Sequence, residues 1–152
     1  MKLLKILFIL LLISFPLVTK SQSARFEGQT SYRINLDSNT AVVATDKVTN
    51  IHSRTTGQLT IQLFLCEGLY EGGTLKGIPC GEVVIVESLK NGEQIQNFRS
   101  GVSFTRPLNG SFFPVILLLE KVKGENVIID FVTFDEVGFK KKSKELLIGQ
   151  QP

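Results

Sequence analysis

Hydrophobic and polar residues alternate with a period of two along several stretches of this chain. The alternation is clearest over residues 59–65, where every second residue from Leu59 to Leu65 is a leucine or an isoleucine. A period of two is typical of a β-strand, because successive side chains point to opposite faces of the sheet. We therefore expect a strand here with one face in a core and the other face largely outward.

Six further stretches carry strand patterns of varying strength. They are residues 30–36, 41–51, 83–86, 102–105, 112–119 and 127–134. The stretch 112–119 is apolar on both faces, as in the central strand of a sandwich, and Asp130 interrupts the last stretch. After the N-terminal segment, no stretch has the sustained apolar spacing of an amphipathic helix.

Turn-forming residues separate these strands. Asn91 and Gly92 predict a type I′ turn, because both of its central positions require a positive φ. Residues 37–39, 107–110 and 123–126 are further turns rich in Asp, Asn, Pro and Gly. About seven short strands without a helix predict an all-β protein built as an antiparallel β-sandwich, with an up-and-down barrel as the alternative.

The N-terminal segment has the pattern of an export signal. Two lysines precede an apolar run over residues 6–18, and the chain then becomes polar. This pattern predicts a signal peptide over residues 1–21, cleaved after Ser21, with cleavage after Ser23 as the alternative. Because the run is shorter than the roughly 20 residues of a membrane-spanning helix, we expect a secreted or periplasmic protein rather than an uncleaved membrane anchor.

Cleavage changes the charge of the protein. The full chain carries 17 lysines and arginines against 14 acidic residues, a formal charge of +3. Three of the lysines and none of the acids lie in the signal peptide, so 14 basic and 14 acidic residues remain. A neutral chain gives no electrostatic support for binding nucleic acid.

The length after cleavage suits one domain with one core. We assign residues 22–137 to the sandwich and residues 138–152, with four closely spaced lysines, to a basic C-terminal tail. The tail is interpreted as a solvated segment, and contact with a membrane or a polyanion is the alternative.

The residues that usually carry chemistry are few. His52 is the single histidine, and its sequence neighbour Ser53 would point to the opposite face of a strand, which disfavours a catalytic triad. A structural zinc site needs about four cysteine or histidine ligands, and the chain has three such residues. We therefore predict no catalytic residue, no metal and no cofactor.

Cys66 and Cys80 flank a stretch with four glycines. These glycines match neither a P-loop nor a dinucleotide-binding fingerprint, and the cysteines lack the CxxC spacing of redox proteins. In an exported protein the pair predicts a Cys66–Cys80 disulfide, with two free thiols as the alternative. Closing a loop of about 15 residues would stabilise the fold by roughly 3 kcal/mol.

Four segments carry a resemblance to a known family. Residues 53–64 resemble its pattern S-x-x-S-G-T-L-x-L-x-L-W, residues 70–77 resemble Y-x-G-G-x-x-x-G, residues 110–115 resemble G-T-Y-Y-P-V, and residues 129–135 resemble V-D-Y-V-N-F-D. The family is that of the CARDB-like, immunoglobulin-like modules of secreted bacterial proteins. The resemblance covers most of the mature chain and implies an immunoglobulin-like sandwich without catalytic residues.

The chain departs from the family pattern at a few positions. Phe64 stands where the family favours tryptophan, and residues 112–113 are Phe-Phe where it favours Tyr-Tyr. Cys66 and Cys80 occupy positions that the family usually fills with other residues. The predicted disulfide is therefore an addition of this protein.

Together these features predict a non-enzymatic exported module for binding or adhesion to a protein or glycan at the cell envelope. The predicted binding surface is the loop between the cysteines, with six candidate residues: Leu69, Tyr70, Gly72, Gly73, Leu75 and Gly77. The alternative for its large side chains is packing against the sandwich. A structural envelope subunit that assembles through strand edges is the second functional hypothesis, and an enzyme of unknown type is the least favoured.

Overall fold

The computed structural model describes residues 22–140 and the backbone of residues 146–150. These residues form nine β-strands and no helix. The strands are β1 (Ala24–Asn35), β2 (Thr40–Asn50), β3 (Leu59–Cys66), β4 (Gly77–Val86), β5 (Gln94–Ser103), β6 (Gly110–Val122), β7 (Glu125–Thr133), β8 (Val137–Phe139) and β9 (Leu146–Gln150). The predicted signal peptide lies outside the described residues.

The strands pair into two antiparallel sheets that pack face to face. One sheet has the order β5-β2-β1-β9 and the other has the order β4-β3-β6-β7, with β8 paired to the first residues of β6. Because β2 pairs with β5 while β3 pairs with β6, the chain crosses between the sheets in the Greek-key manner of an immunoglobulin-like sandwich. The prediction of an immunoglobulin-like β-sandwich is confirmed, with β8 and β9 added to the seven expected strands.

Part of the predicted C-terminal tail belongs to a sheet. β9 pairs with residues 31–35 of β1, so the sheet extends beyond the boundary predicted at residue 137. A Cβ atom at Gly149 would lie 2.1 Å from the Tyr32 ring, which means that the glycine leaves room for this ring. In the sequence, the short apolar stretch of β9 closely follows the lysine-rich stretch 140–144, and it was assigned to the tail with these lysines.

The main core lies between the sheets and contains the predicted inward face of β3. Leu59, Ile61, Leu63 and Leu65 are at most 1% exposed. The other face of β3 was predicted to be largely outward, and this prediction is wrong, because Gln62 is the one residue of β3 that is not buried. Phe64 and Cys66 are buried there in a second apolar cluster, which we call the outer cluster, with three residues of β6: Val115, Leu117 and Leu119.

One turn differs from its predicted form. At residues 91–92 the turn closes with Glu93 N donating to Lys90 O, but only Gly92 has a positive φ, so the turn is not of type I′. It connects β4 to β5 across the two sheets and is not a hairpin. The β6–β7 hairpin does have two consecutive positive φ values, at Lys123 and Gly124, which is the type I′ requirement.

Candidate functional site

Residues 67–76 connect β3 to β4 and fold back over the outer face of the sheet; we call this segment the flap. Its base is closed by Glu67 N, which donates to Lys76 O at 2.9 Å. The Tyr70 ring, 7% exposed, packs edge-on against Phe131 of β7, with 4.7 Å between the ring centroids. Thr133 Oγ1 also donates to Tyr70 O at 2.9 Å. One anchored tyrosine therefore holds the flap on the sheet.

The glycines of the flap have geometric roles. Gly72 and Gly73 form its tip with φ values of 109° and 87°, and the Tyr70 hydroxyl donates to Gly73 O at 3.2 Å. At Gly77, where β4 begins, a Cβ atom would lie 1.9 Å from Leu65 O. The glycine-rich pattern therefore serves a tight turn and a close approach of two backbones.

The large side chains of the predicted binding loop divide into two groups. Tyr70 is buried and Leu75 packs against the outer cluster, as in the packing alternative. Leu69 points away from the sandwich and is 62% exposed. The flap therefore presents one apolar side chain to solvent on a segment that its neighbours hold in place.

The predicted Cys66–Cys80 disulfide is not formed in the structure, and both cysteines are free and buried. Cys66 lies in the outer cluster beneath the flap, whereas Cys80 lies in the core between the sheets. A register shift between Leu63 and Phe64 makes Cys80 an extra, inward-pointing residue of β4. The two thiols are thus on opposite faces of one sheet, and the sheet itself separates them.

Thiol chemistry tests this arrangement. Burial raises the pKa of Cys80 to about 12 and also raises the pKa of Cys66, so little of the reactive thiolate forms near pH 8. We expect iodoacetamide to leave the folded protein unmodified and to add two groups after unfolding without reductant. Adducts that appear only after reduction, measured by intact mass, would contradict the free-thiol arrangement.

A groove of about 480 Å³ lies between the tip of the flap and the edge strand β7. Its walls are formed by Gln22, Tyr70, Gly72, Gly73 and residues 128–131. The groove therefore unites the flap with Asp130, the residue that interrupts the apolar pattern of the last predicted stretch. The sequence pattern showed this interruption but predicted no role for Asp130.

Asp130 is partly buried at the edge of the groove. Its Oδ2 accepts a hydrogen bond from Phe26 N at 2.7 Å. Because β9 pairs only with residues 31–35 of β1, this amide has no partner in β9, and the carboxylate serves as its acceptor instead. Burial raises the pKa of Asp130, although the amides of Phe26 and Phe131, the charge of Arg25 and the side chain of Gln22 act in the opposite direction. A carboxylate whose ionisation is opposed by burial, lying in a groove, marks a candidate binding site.

Replacing Asp130 with asparagine is expected to produce a stability difference that depends on pH. Because the pKa is raised in the folded state, the wild type loses stability as pH rises from about 3.8 through the folded pKa, and the variant does not. The free energy of unfolding of Asp130→Asn minus that of the wild type should therefore become more positive from pH 4 to pH 8. Urea unfolding at each pH measures this difference. The exposed Asp37→Asn is the control, and a pH-independent difference for Asp130→Asn would contradict the assignment.

A buried polar cluster at the end of β6 was not predicted; we call it the clasp. Glu120 of β6 is 1% exposed and accepts hydrogen bonds from three residues. Arg54 donates from both terminal nitrogens at 2.8 and 2.9 Å, Ser23 donates from its hydroxyl at 2.5 Å, and Gly57 donates from its backbone at 2.8 Å. Burial alone would raise the pKa of Glu120, but these donors outweigh it and hold the pKa low.

The clasp has a structural role. It fastens the loop between β2 and β3 to the end of β6, and a Cβ atom at Gly57 would lie 2.1 Å from Lys121 O. His52 lies on the same loop, where its Nδ1 accepts a hydrogen bond from Arg54 N at 3.2 Å. None of the described hydrogen bonds joins His52 to Ser23 or Glu120. The sequence feature that could have indicated the clasp is Glu120 itself, an acidic residue that directly follows the wholly apolar stretch 112–119.

Comparison with known proteins adds no family. No protein-family model matches the chain, and no curated protein matches it. The CARDB-like resemblance therefore stays a prediction. Within the described residues, no helix has the length and apolar character to span a membrane, and no three His, Cys, Asp or Glu side chains are grouped to hold a metal.

Proposed function

We propose that this protein is a non-enzymatic binding or adhesion module, exported to the periplasm or the cell exterior, whose contact surface is the flap with the adjoining groove. Export is supported by the N-terminal pattern of residues 1–21. The resemblance to CARDB-like modules of secreted bacterial proteins supports the same class. The partner is a protein or a glycan at the cell envelope.

The observation that carries this proposal is the exposure of Leu69 on an anchored segment. A single exposed leucine is common on protein surfaces. Here, however, the neighbouring Tyr70 is pinned to the sheet, so the contact residue is held in place before a partner arrives. A preorganised contact loses little conformational entropy on binding.

The groove beside the flap supplies complementary chemistry. Tyr70, Phe131 and two glycines line the groove, and Asp130 adds a carboxylate. Such a mixture of a few polar groups on an apolar wall is typical of binding clefts. It suits a polar ligand with an apolar face, as many peptides and sugars have.

The alternative is a structural subunit that assembles through strand edges, and three of the edges disfavour it. β4 carries Pro79, which lacks an amide donor, β5 contains Asn97 with a φ of 52°, and β7 carries Asp130 at a register shift. Such features obstruct edge-to-edge pairing. Sedimentation of the mature chain at increasing concentration tests this alternative, and growth to larger species would favour it.

The proposed function is tested with the chain that begins at Gln22, a printed glycan array and an isolated envelope fraction. We expect binding that Leu69→Ser weakens at least tenfold. Val84→Ser is the matched control, because Val84 is an exposed apolar residue of β4 outside the flap. Equal binding by both variants would contradict a role for the flap, and no binding by the wild type would contradict the function.

A further inference from the structure

We infer that removal of the signal peptide gives Asp130 a charged partner, the new α-ammonium group of Gln22, and that this pair completes one wall of the groove. The inference rests on the proposed export and on cleavage after Ser21. It concerns a site that forms only in the processed chain.

The start of β1 brings Gln22 to Asp130. Gln22 lines the groove and its side chain hydrogen-bonds to the Asp130 carboxylate. Four residues later, Phe26 N donates to the same carboxylate at 2.7 Å. The chain entering β1 thus runs past Asp130, and the nitrogen that cleavage releases belongs to a residue that already contacts this carboxylate.

The residues after Gln22 are held firmly. Ser23 is 1% exposed and Ala24 is fully buried. The Ser23 hydroxyl donates to Glu120, and its carbonyl accepts a hydrogen bond from Ile51 N at 3.0 Å. Cleavage after Ser23, the alternative position, would remove both bonds. The fold therefore favours cleavage after Ser21, which leaves Ser23 in place.

Hydrolysis by a signal peptidase supplies the charge. One water adds across the Ser21–Gln22 peptide bond, Ser21 keeps a carboxylate, and the amine of Gln22 takes up a proton at neutral pH. Arg25 is the cation that faces Asp130 from β1, but it is already paired with Glu27 at 2.7 Å. Tyr70 is the titratable group on the flap side of the groove, and it carries no cationic charge. An ammonium is thus the charge that this carboxylate lacks.

The pair links stability to processing. In the precursor the nitrogen of Gln22 is an uncharged amide, so burial of the Asp130 carboxylate is only partly offset. In the processed chain an opposite charge offsets it further. Removal of the signal peptide therefore stabilises the folded state further. This happens after export, when the chain no longer has to remain unfolded for translocation.

A double-mutant cycle tests the pair. Two forms of the chain from Gln22 are compared, one with a free amine and one whose amine is acetylated, which removes the charge and keeps the Gln22 side-chain amide that contacts Asp130. Each form is made with Asp130 and with Asp130→Asn, and urea unfolding is measured at pH 7. We expect loss of the ammonium to raise the unfolding constant roughly three- to tenfold in the wild type. In Asp130→Asn the change should be less than about twofold, and an equal change in both backgrounds would overturn the inference.

N-terminal sequencing of the exported protein separates this inference from the proposal on which it rests. A mature chain that starts at Gln22 and shows coupling supports both. A start at Gln22 without coupling overturns the pair and leaves export standing. A start at any other residue overturns the inference and the predicted cleavage site together.

Discussion

Replacing Glu120 with alanine is expected to lower the free energy of unfolding by about 3 kcal/mol, because the variant breaks a buried, multiply hydrogen-bonded ion pair. The change leaves the Ser23 hydroxyl and the Gly57 amide without their acceptor. The Arg54 side chain is 48% exposed and regains water, which places the cost at the lower end of the range for broken buried pairs. Urea unfolding of the mature chain measures the effect.

Two further variants sharpen this prediction. Glu120→Gln keeps the side-chain size and one acceptor but loses the charge. Its free energy of unfolding should therefore lie between that of the wild type and that of Glu120→Ala. Glu125→Ala, an exposed acid at the start of β7, should stay within about 0.5 kcal/mol of the wild type. A cost for Glu120→Ala as small as that of Glu125→Ala would show that the clasp does not hold the β2–β3 loop.

Replacing Tyr70 with alanine is expected to cost about 3 kcal/mol and to expose the thiol of Cys66. The tyrosine ring covers the outer cluster, and removing a buried aromatic ring loses its contacts and leaves a cavity. Once the flap lifts, a thiol reagent should modify Cys66 in the folded protein. Cys80 should stay protected, because it lies in the other core. Peptide-level mass spectrometry after a timed reaction assigns the modified residue.

The matched control is Tyr70→Phe. It keeps the ring and removes only the hydroxyl that donates to Gly73 O at 3.2 Å, so it should cost less than about 1 kcal/mol and leave Cys66 protected. If Tyr70→Ala also left Cys66 unreactive, the flap would not be held by this side chain. The preorganisation on which the proposed function depends would then lose its basis.

The two cysteines show what local sequence patterns could not predict. Their spacing and the predicted export suggested a disulfide, and the glycines between them suggested a simple loop. The register shift in the β3–β4 pair turned Cys80 inward, while the alternation of β3 turned Cys66 outward. A shift of one residue exchanges the faces of a strand, and the spacing of two cysteines in a sequence does not record it.

The candidate site was predicted in part. The sequence pointed to the segment between the cysteines and to Tyr70, Gly72 and Gly73, which do line the groove. Asp130 and Gln22 complete the groove, and they were not connected to it, because contacts between residues far apart in the chain leave no local pattern. The exposure of Leu69 and the burial of Tyr70 were likewise decided by which side chain met Phe131.

The sequence alone determined the class of fold, since the period-two alternation of apolar residues indicates β-strands and the turn residues indicate where the strands are separated. The clasp, the groove and the separation of the two thiols were decided only by the tertiary structure. Glu120 meets Ser23 and Arg54 across 97 and 66 positions of the chain, and Asp130 meets Phe26 across 104. Such contacts depend on how strands pair and how sheets pack, and neither is encoded in any short stretch of residues.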